Sequence, residues 1–235
     1  MKVCWLSAGV SSFIAGYLAD GVDEYIYIDI DNQHEDSMRF IKDCEKALNK
    51  PITILKSEYG SVENVIKKAK YINGIHGAPC TTILKKKVRQ RWENDHKVPL
   101  TYVWGFDVNE KKRAERIKDV YFEYQHEFPL IENLLTKEDA HGLLQKLGIK
   151  RPMMYDLGYS NNNCIGCVKG GMGYWNKIRK DFPDVFEQRA KLEREIGASC
   201  IKGIYLDELD ENKGNTYEII PECSLMCELS KVERL

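Results

Sequence analysis

The sequence predicts an α/β protein, with a doubly wound, mostly parallel sheet, helices on both faces, and a small cysteine-bearing helical region at the C-terminal end. Two observations favour this class. Short apolar runs of strand length alternate with longer stretches that carry apolar residues at helical spacing. The first run, residues 3–6, leads through a serine-rich bend straight into such a stretch. We place the boundary between an α/β body, residues 1–150, and the C-terminal region, residues 151–235, where loop-forming residues and cysteines follow.

Each predicted element rests on the local pattern. Strands are predicted at the apolar runs, residues 3–6, 25–30, 51–56 and 101–105. Helices are predicted in stretches that begin near residues 13, 36, 62, 80, 137 and 174. Asp36 and Ser37 are expected to cap the second helix, and Thr136 is expected to form a capping box with Asp139.

The composition excludes several function classes. Of 235 residues, 43% are hydrophobic and 30% are charged, and the net charge is −1. This balance gives no overall signal for a polyanion, so contact with nucleic acid would have to come from a local patch. No apolar run approaches the length of about 20 residues that a membrane span needs, and the N-terminus lacks a signal-peptide pattern. We therefore expect a cytoplasmic protein without membrane contact, whose eight cysteines favour metal, cluster or thiol chemistry over disulfides.

The bend after the first run is a candidate anion site. It reads Ser7-Ala8-Gly9-Val10-Ser11-Ser12. A helix that starts here would offer unpaired N–H groups and the positive end of its dipole, and Gly9 would let the backbone approach a phosphate closely. The three serine hydroxyls would donate further hydrogen bonds. An ordinary strand-to-helix turn with a serine cap explains the same residues, and the bend alone does not decide between the two.

Charged residues follow other predicted strands. Asp29 and Asp31 end the second strand and are candidate contacts to a nucleotide or to Mg²⁺. A basic cluster at residues 85–91 is either a solvated helix face or a local contact for phosphate or RNA. Gly105 ends the fourth strand, and a second basic cluster begins at Lys111.

The cysteines suggest a metal or cluster site. Cys164 and Cys167 have the two-residue spacing that lets both sulfurs face one metal. One interpretation is a zinc site formed by Cys164, Cys167, Cys223 and Cys227. A second is a 4Fe-4S cluster on Cys80, Cys164 and Cys167, with a fourth ligand from the tail or an open iron. Thiols without a metal are the third interpretation. Cys4, Cys44 and Cys200 are expected to be buried, inert thiols.

These residues resemble the adenine nucleotide alpha hydrolase (PP-loop ATPase) superfamily, in its phosphoadenosine phosphosulfate (PAPS) reductase-like branch, which includes phage and mobile-element members. The superfamily's pyrophosphate loop usually reads Ser-Gly-Gly-x-Asp-Ser, where this chain has Ser7 to Ser12. Tyr27-Ile28-Asp29 resembles the strand that ends beside the nucleotide, and the segment from Gly105 to Arg113 resembles a Gly-x-Arg-x-x-Glu-Ser-x-x-Arg motif. Glu222-Cys223 resembles the Glu-Cys of the reductase tail.

The resemblance implies an enzyme that uses an adenine nucleotide, ATP or PAPS, with Mg²⁺ and either a 4Fe-4S cluster or zinc. In the first version ATP adenylates a small-molecule or nucleobase acceptor, and sulfur or nitrogen then displaces AMP. In the second, Cys223 attacks PAPS and a thioredoxin-like reductant resolves the product. A third version is an inactive nucleotide-sensing or partner-binding module. A second copy of the chain is a further candidate partner.

The predicted site residues fall into three groups. The nucleotide-binding set is Ser7, Ala8, Gly9, Ser11, Ser12, Asp29, Gly105 and Arg113. The catalytic set is Cys80, Lys85 and Cys223. The metal set is Cys80, Cys164, Cys167, Cys223 and Cys227.

Overall fold

The computed structural model describes residues 1–74, 77–215 and 219. The tail cysteines Cys223 and Cys227, which sequence analysis placed in the catalytic and metal sets, lie outside the described residues.

Five parallel strands form one sheet, which confirms the predicted α/β class. The strands are β1 (Lys2–Leu6), β2 (Glu24–Asp29), β3 (Ile52–Lys56), β4 (Thr101–Val103) and β5 (Gln125–Glu127). Their order across the sheet is β3-β2-β1-β4-β5, so the chain builds outward from β1 in one direction and then returns to build on the other side. The order therefore reverses between β1 and β4. In open parallel sheets, ligands bind beyond the carboxyl ends of the strands at such a switch point.

Helices connect the strands and cover the sheet. They are α1 (Val10–Leu18), α2 (Asp36–Leu48), α3 (Val62–Ala69), α4 (Lys87–Asp95), α5 (Lys111–Val120), α6 (Pro129–Glu132), α7 (Lys137–Lys146), α8 (Met153–Asp156), α9 (Met172–Asp181) and α10 (Pro183–Ile196). A π-helical segment, Thr81–Lys86, leads directly into α4. None of the helices in the described ranges is both long enough and apolar enough to cross a membrane.

Most predicted elements are present, and the differences have local causes. The capping box of Thr136 and Asp139 is confirmed, with both hydrogen bonds formed. The expected cap by Asp36 and Ser37 is wrong, because the Asp36 carboxylate instead accepts hydrogen bonds from the Arg39 guanidinium and from the Met153 N–H. The helical region predicted at 174–196 is two helices, because Pro183 cannot continue the first of them.

Strand β5 was not predicted from the sequence. Its residues, Gln125, His126 and Glu127, are polar and show no apolar run. Pairing defines this strand instead, since Thr101 and Gln125 are register partners at the start of β4 and β5. An edge strand with one partner and little buried surface gives sequence patterns nothing to detect.

The chain groups into two compact units. The first comprises Met1–Ile28, Glu35–Leu55 and Arg91–Leu157, and the second comprises Asp29–His34, Lys56–Gln90 and Gly158–Leu235. The first unit has a core in which α1 contributes Phe13 and Ile14, α2 contributes Phe40, and α6 and α7 contribute Leu130 and Leu144. These five side chains are at most 1% exposed. The boundary expected near residue 150 stays a prediction.

Gly105 sets how closely the connection after β4 approaches the start of α1. A Cβ placed on Gly105 would lie 2.6 Å from both the N and the Cα of Ser12, and 2.8 Å from the carbonyl carbon of Ser11. Backbone atoms cannot yield as a flexible side chain would, so glycine is required here for steric reasons. The contact joins the segments that follow β1 and β4, on the two sides of the switch point.

We therefore expect Gly105→Ala to destabilise the protein by about 1–3 kcal/mol, the usual cost of overpacking. The matched control is Gly142→Ala in α7, where an added Cβ meets no atom within 4 Å. That change should stabilise the protein by about 0.5–1 kcal/mol, because alanine is the better helix former. Urea unfolding of both variants measures the two effects. Equal stability for Gly105→Ala and the wild type would contradict the steric argument.

Candidate functional site

Two serine side chains fasten the bend between β1 and α1. The Ser7 N–H donates to Ser12 Oγ at 3.1 Å, and the Gly9 N–H donates to Ser7 Oγ at 3.2 Å. The two hydroxyl oxygens are 2.9 Å apart, and Ser12 Oγ also donates to the Gly9 carbonyl at 3.0 Å. Both serines are buried. The structure thus uses Ser7 and Ser12, which were predicted to hold phosphate oxygens, to shape the bend itself.

Ala8 holds a backbone conformation that favours glycine. Its φ is 58°, in the left-handed region, and the residue is buried. An alanine pays roughly 1–2 kcal/mol there, since its Cβ crowds the following carbonyl oxygen. Strain of this kind persists only where the surrounding structure enforces it, and it concentrates at functional sites.

The first turn of α1 lacks both of the usual local stabilising groups. Its N-cap is Gly9, which has no capping side chain, and no acidic residue follows in the first turn. Helix α3, by contrast, is capped by Ser61 and carries Glu63 in its first turn. No acidic side chain in the first turn of α1 therefore offsets the positive end of the helix dipole. The Val10 N–H donates to the Tyr155 hydroxyl on α8 at 3.3 Å.

The predicted residues after β4 are engaged within the first unit. Asp107 accepts a hydrogen bond from the Asn109 N–H at 2.7 Å and forms a capping box with Glu110. Arg113 pairs with Glu110, and its guanidinium lies 5.2 Å from the centre of the Phe106 ring. Arg113 thus sits on the same connection as Gly105, and a role for it beside phosphates stays a prediction.

The thiols predicted for the metal site meet, as far as they are described, at one cavity of the second unit. This small, partly open cavity is lined by Cys80, Cys164 and Cys167. Lys85, predicted as catalytic, and Lys169, which sequence analysis did not single out, line it too. The remaining wall is mainly apolar, with Ile30, Val62, Leu84 and Val168.

The donor set fits a soft metal or a cluster only in part. Thiols in an apolar wall are suitable ligands for iron–sulfur chemistry. Within residues 1–74 and 77–215, however, no three His, Cys, Asp or Glu side chains are grouped so that they could hold a metal ion. A zinc site would therefore depend on Cys223 and Cys227, which lie outside the described residues.

The turn from Cys164 to Cys167 is fixed by two residues that sequence analysis missed. The Cys167 N–H donates to the Tyr174 hydroxyl at 2.9 Å, and that hydroxyl donates to the Cys164 carbonyl at 3.3 Å. The Ile165 N–H donates to the Asn32 carbonyl at 2.8 Å. Burial, with Cys167 nearby, raises the pKa of Tyr174, so its hydroxyl keeps the proton that it donates. Both cysteines are thereby held on the wall of the same cavity.

The other predicted charges have partners of their own. Lys56 Nζ lies 3.4 Å from Asp29 and 2.5 Å from Asp31, and these carboxylates raise the pKa of Lys56, with Asp31 having the larger effect. An ammonium group already lies where a cation would bind, so we assign no Mg²⁺ position to Asp29. In the basic cluster, Lys85 and Arg89 are buried and Lys86 is half-buried, whereas Lys87 and Arg91 are exposed.

The expected burial of Cys4, Cys44 and Cys200 is confirmed. Burial raises the pKa of Cys4 to about 12 and raises the pKa of the other two thiols as well. Thiols that remain protonated at neutral pH are poor nucleophiles and poor metal ligands.

No protein-family model and no curated protein matches the chain. The resemblance to the PAPS reductase-like branch rests on the motifs at residues 7–12, 27–29, 105–113 and 222–223.

An ion pair in which Arg189 is the buried partner holds Asn32, whose carbonyl binds the Cys164–Cys167 turn. Arg189 is 1% exposed and donates to Glu63 at 2.6 Å, and Glu63 accepts two hydrogen bonds from the Asn32 side-chain amide at 3.0 and 2.8 Å.

We expect Glu63→Ala to cost about 3–5 kcal/mol, because it leaves the Arg189 charge buried without its counter-charge. Glu195→Ala, which breaks an exposed pair with Lys67 at 3.7 Å, should cost less than about 1 kcal/mol. Urea unfolding compares them, and equal losses would contradict this assignment.

His141 makes the stability of the first unit depend on pH. Its ring packs edge-on against Tyr155, with centroids 4.7 Å apart. Burial, helped by Lys137 and Arg151 and opposed by Glu138, lowers the pKa of His141 to about 4. An unfolded histidine titrates near about 6.5, so between these pH values only the unfolded chain takes up the proton. The free energy of unfolding should therefore fall as the pH drops from about 6.5 to about 4.

His141→Gln should flatten this part of the profile, measured by urea unfolding at several pH values. Some slope should remain, because burial also lowers the pKa of His126. An unchanged slope in His141→Gln would show that other groups carry the pH dependence.

Proposed function

We propose that the chain is an enzyme that binds an adenine nucleotide beyond the carboxyl ends of β1 and β4 and acts at the α-phosphate of ATP. One observation carries the proposal: α1 begins at the switch point of a 3-2-1-4-5 parallel sheet with neither a capping side chain nor an acidic residue in its first turn. This is the arrangement in which a phosphate is stabilised by helix N–H groups and by the helix dipole.

Two further features support a ligand at this position. Ala8 holds a strained, left-handed backbone conformation, and strain of this kind concentrates at functional sites. Gly105 brings the backbone after β4 against Ser11 and Ser12, so that both connections border the same place. The N–H groups at the start of α1 are the proposed phosphate donors, and the Ser7 and Ser12 side chains hold the bend that presents them.

The chemistry follows from the resemblance. An oxygen of the acceptor attacks the α-phosphorus of ATP, the bond to the bridging oxygen breaks, and pyrophosphate leaves. A sulfur or nitrogen nucleophile then attacks the activated carbon of the adenylated acceptor, and AMP leaves with the oxygen. Mg²⁺ bound to the phosphates would offset the charge that develops on pyrophosphate. We propose a sulfur-handling role for the cavity that Cys80, Cys164 and Cys167 line together with Lys85.

A second candidate is a nucleotide-binding module without catalytic activity. The observation that favours it is the bend itself, in which the Ser7 and Ser12 hydroxyls are bonded to each other and to the backbone, and in which Ser11 is buried as well. Such a bend is stable without any ligand and has lost the second glycine and the aspartate of the usual family loop.

Ser11→Asp tests the binding site. A carboxylate in the first turn of α1 would compete with phosphate for the same helix end and repel it, so we expect ATP binding to weaken by about tenfold or more. The control is Ser61→Asp, which places the same charge at the start of α3, where aspartate caps as well as serine does. Isothermal titration measures binding, and circular dichroism confirms that each variant is folded. A folded Ser11→Asp protein that binds ATP as the wild type does would refute the site.

The products separate the versions of the function. ATP turned over to AMP and pyrophosphate, in the presence of acceptor candidates, supports the adenylating enzyme. Sulfite released from PAPS under reduction supports the reductase, and ATP bound without any product supports the inactive module.

A further inference from the structure

The first helical N–H of α1 is satisfied by a residue far away in the sequence. Val10 donates to the hydroxyl of Tyr155, 145 residues further along, at an N–O distance of 3.3 Å. The caps of α3 and α7 are different, since Ser61 and Thr136 each bind an N–H of the turn that they precede. A cap built from neighbouring residues is part of the helix end. A cap supplied by another element can leave without unwinding the helix.

The contact is weak compared with what a phosphate would offer. Its distance is longer than the usual 2.9–3.0 Å of an N–H···O bond, and its acceptor is a neutral hydroxyl. Hydrogen bonds to a charged oxygen are shorter and about twice as strong. A phosphate oxygen at this helix end would therefore be preferred over the tyrosine.

The backbone of the segment that carries Tyr155 is held independently of this bond. The Met153 N–H donates to Asp36 at 2.8 Å, and Arg39 donates to the carbonyls of Lys150 at 2.7 Å and Arg151 at 3.1 Å. These three contacts fasten residues 150–153 to α2. Release of the Val10 N–H by rotation of the Tyr155 side chain would leave them intact.

We propose that Tyr155 is a placeholder cap, which occupies the first amide of α1 and competes with a phosphate group for it. This inference rests on the proposed function and adds a residue that determines the affinity of the site. The tyrosine keeps the buried Val10 N–H satisfied when nucleotide is absent and yields that N–H to the phosphate when nucleotide binds. It also explains how a helix end without a local cap is tolerated inside the protein.

Tyr155→Phe removes only the hydroxyl and tests the competition. The variant should be less stable than the wild type without ligand, yet it should bind ATP and inorganic pyrophosphate about two- to tenfold more tightly, the range expected for one hydrogen bond. A purely structural role would lower stability and leave affinity unchanged or weaker. Tyr159→Phe is the matched control, because it removes a buried tyrosine hydroxyl that donates to Asp181 at 2.8 Å within the second unit. It should cost stability without changing affinity.

Each outcome of this titration either supports or overturns the proposed role of Tyr155. Tighter binding by Tyr155→Phe, including binding where the wild type shows none, supports the competition. If the wild type binds and Tyr155→Phe binds equally or more weakly, the placeholder role is overturned, but the proposed function is not. Binding by neither protein overturns both.

A measurement on the wild type covers the case in which Tyr155→Phe does not fold. The amide proton of Val10, followed by nitrogen-15 NMR, should move downfield when ATP is added, because a charged oxygen replaces the hydroxyl as its acceptor. A Val10 amide that stays in place while ATP binds elsewhere would overturn the proposal.

Discussion

The structure of the first unit depends on the approach of the Gly105 backbone to the backbone of Ser11 and Ser12. Nothing larger than a hydrogen fits on Gly105, so the connection after β4 lies directly against the start of α1. That contact restricts where the bend after β1 can run. The two serine hydroxyls then accept hydrogen bonds from the N–H groups of Ser7 and Gly9. Backbone sterics thus come first and the hydroxyl network follows from them.

A bend that satisfies its own donors has consequences for function. The N–H groups of Ser7, Gly9 and Val10 already donate to neutral side-chain hydroxyls. In the proposed function, a phosphate would therefore have to bind more strongly than the neutral partners that it replaces. Charge decides this comparison, since the present partners are neutral and the first turn of α1 contains no acid. A sulfonucleotide and ATP offer the same charged groups to this helix end, which is why their products, and not their binding, tell the two chemistries apart.

Local sequence patterns predict most of the fold, whereas the features that they do not predict depend on contacts between distant residues. The run at residues 3–6, the bend and the box of Thr136 and Asp139 are readable because each depends on neighbouring residues. The hydroxyls of Tyr155 and Tyr174 accept hydrogen bonds from the backbone N–H groups of other segments. The sequence around each tyrosine does not predict these contacts. The basic cluster shows a third case: the π-helical segment Thr81–Lys86 changes the helical phase that an α-helix reading assumes, and Lys85 and Arg89 are buried.

The cysteine turn of the second unit shows the same dependence on distant partners. A two-residue spacing predicts that Cys164 and Cys167 face one way, but the spacing does not explain what holds them. Tyr174 binds the turn from one side and the Asn32 carbonyl binds it from the other. Asn32 is in turn fixed by Glu63, whose charge is balanced by the buried Arg189. Burying an ion pair costs more than it returns unless the geometry is specific. Its presence here is accounted for by the position that it imposes on Asn32, and through Asn32 on the two thiols.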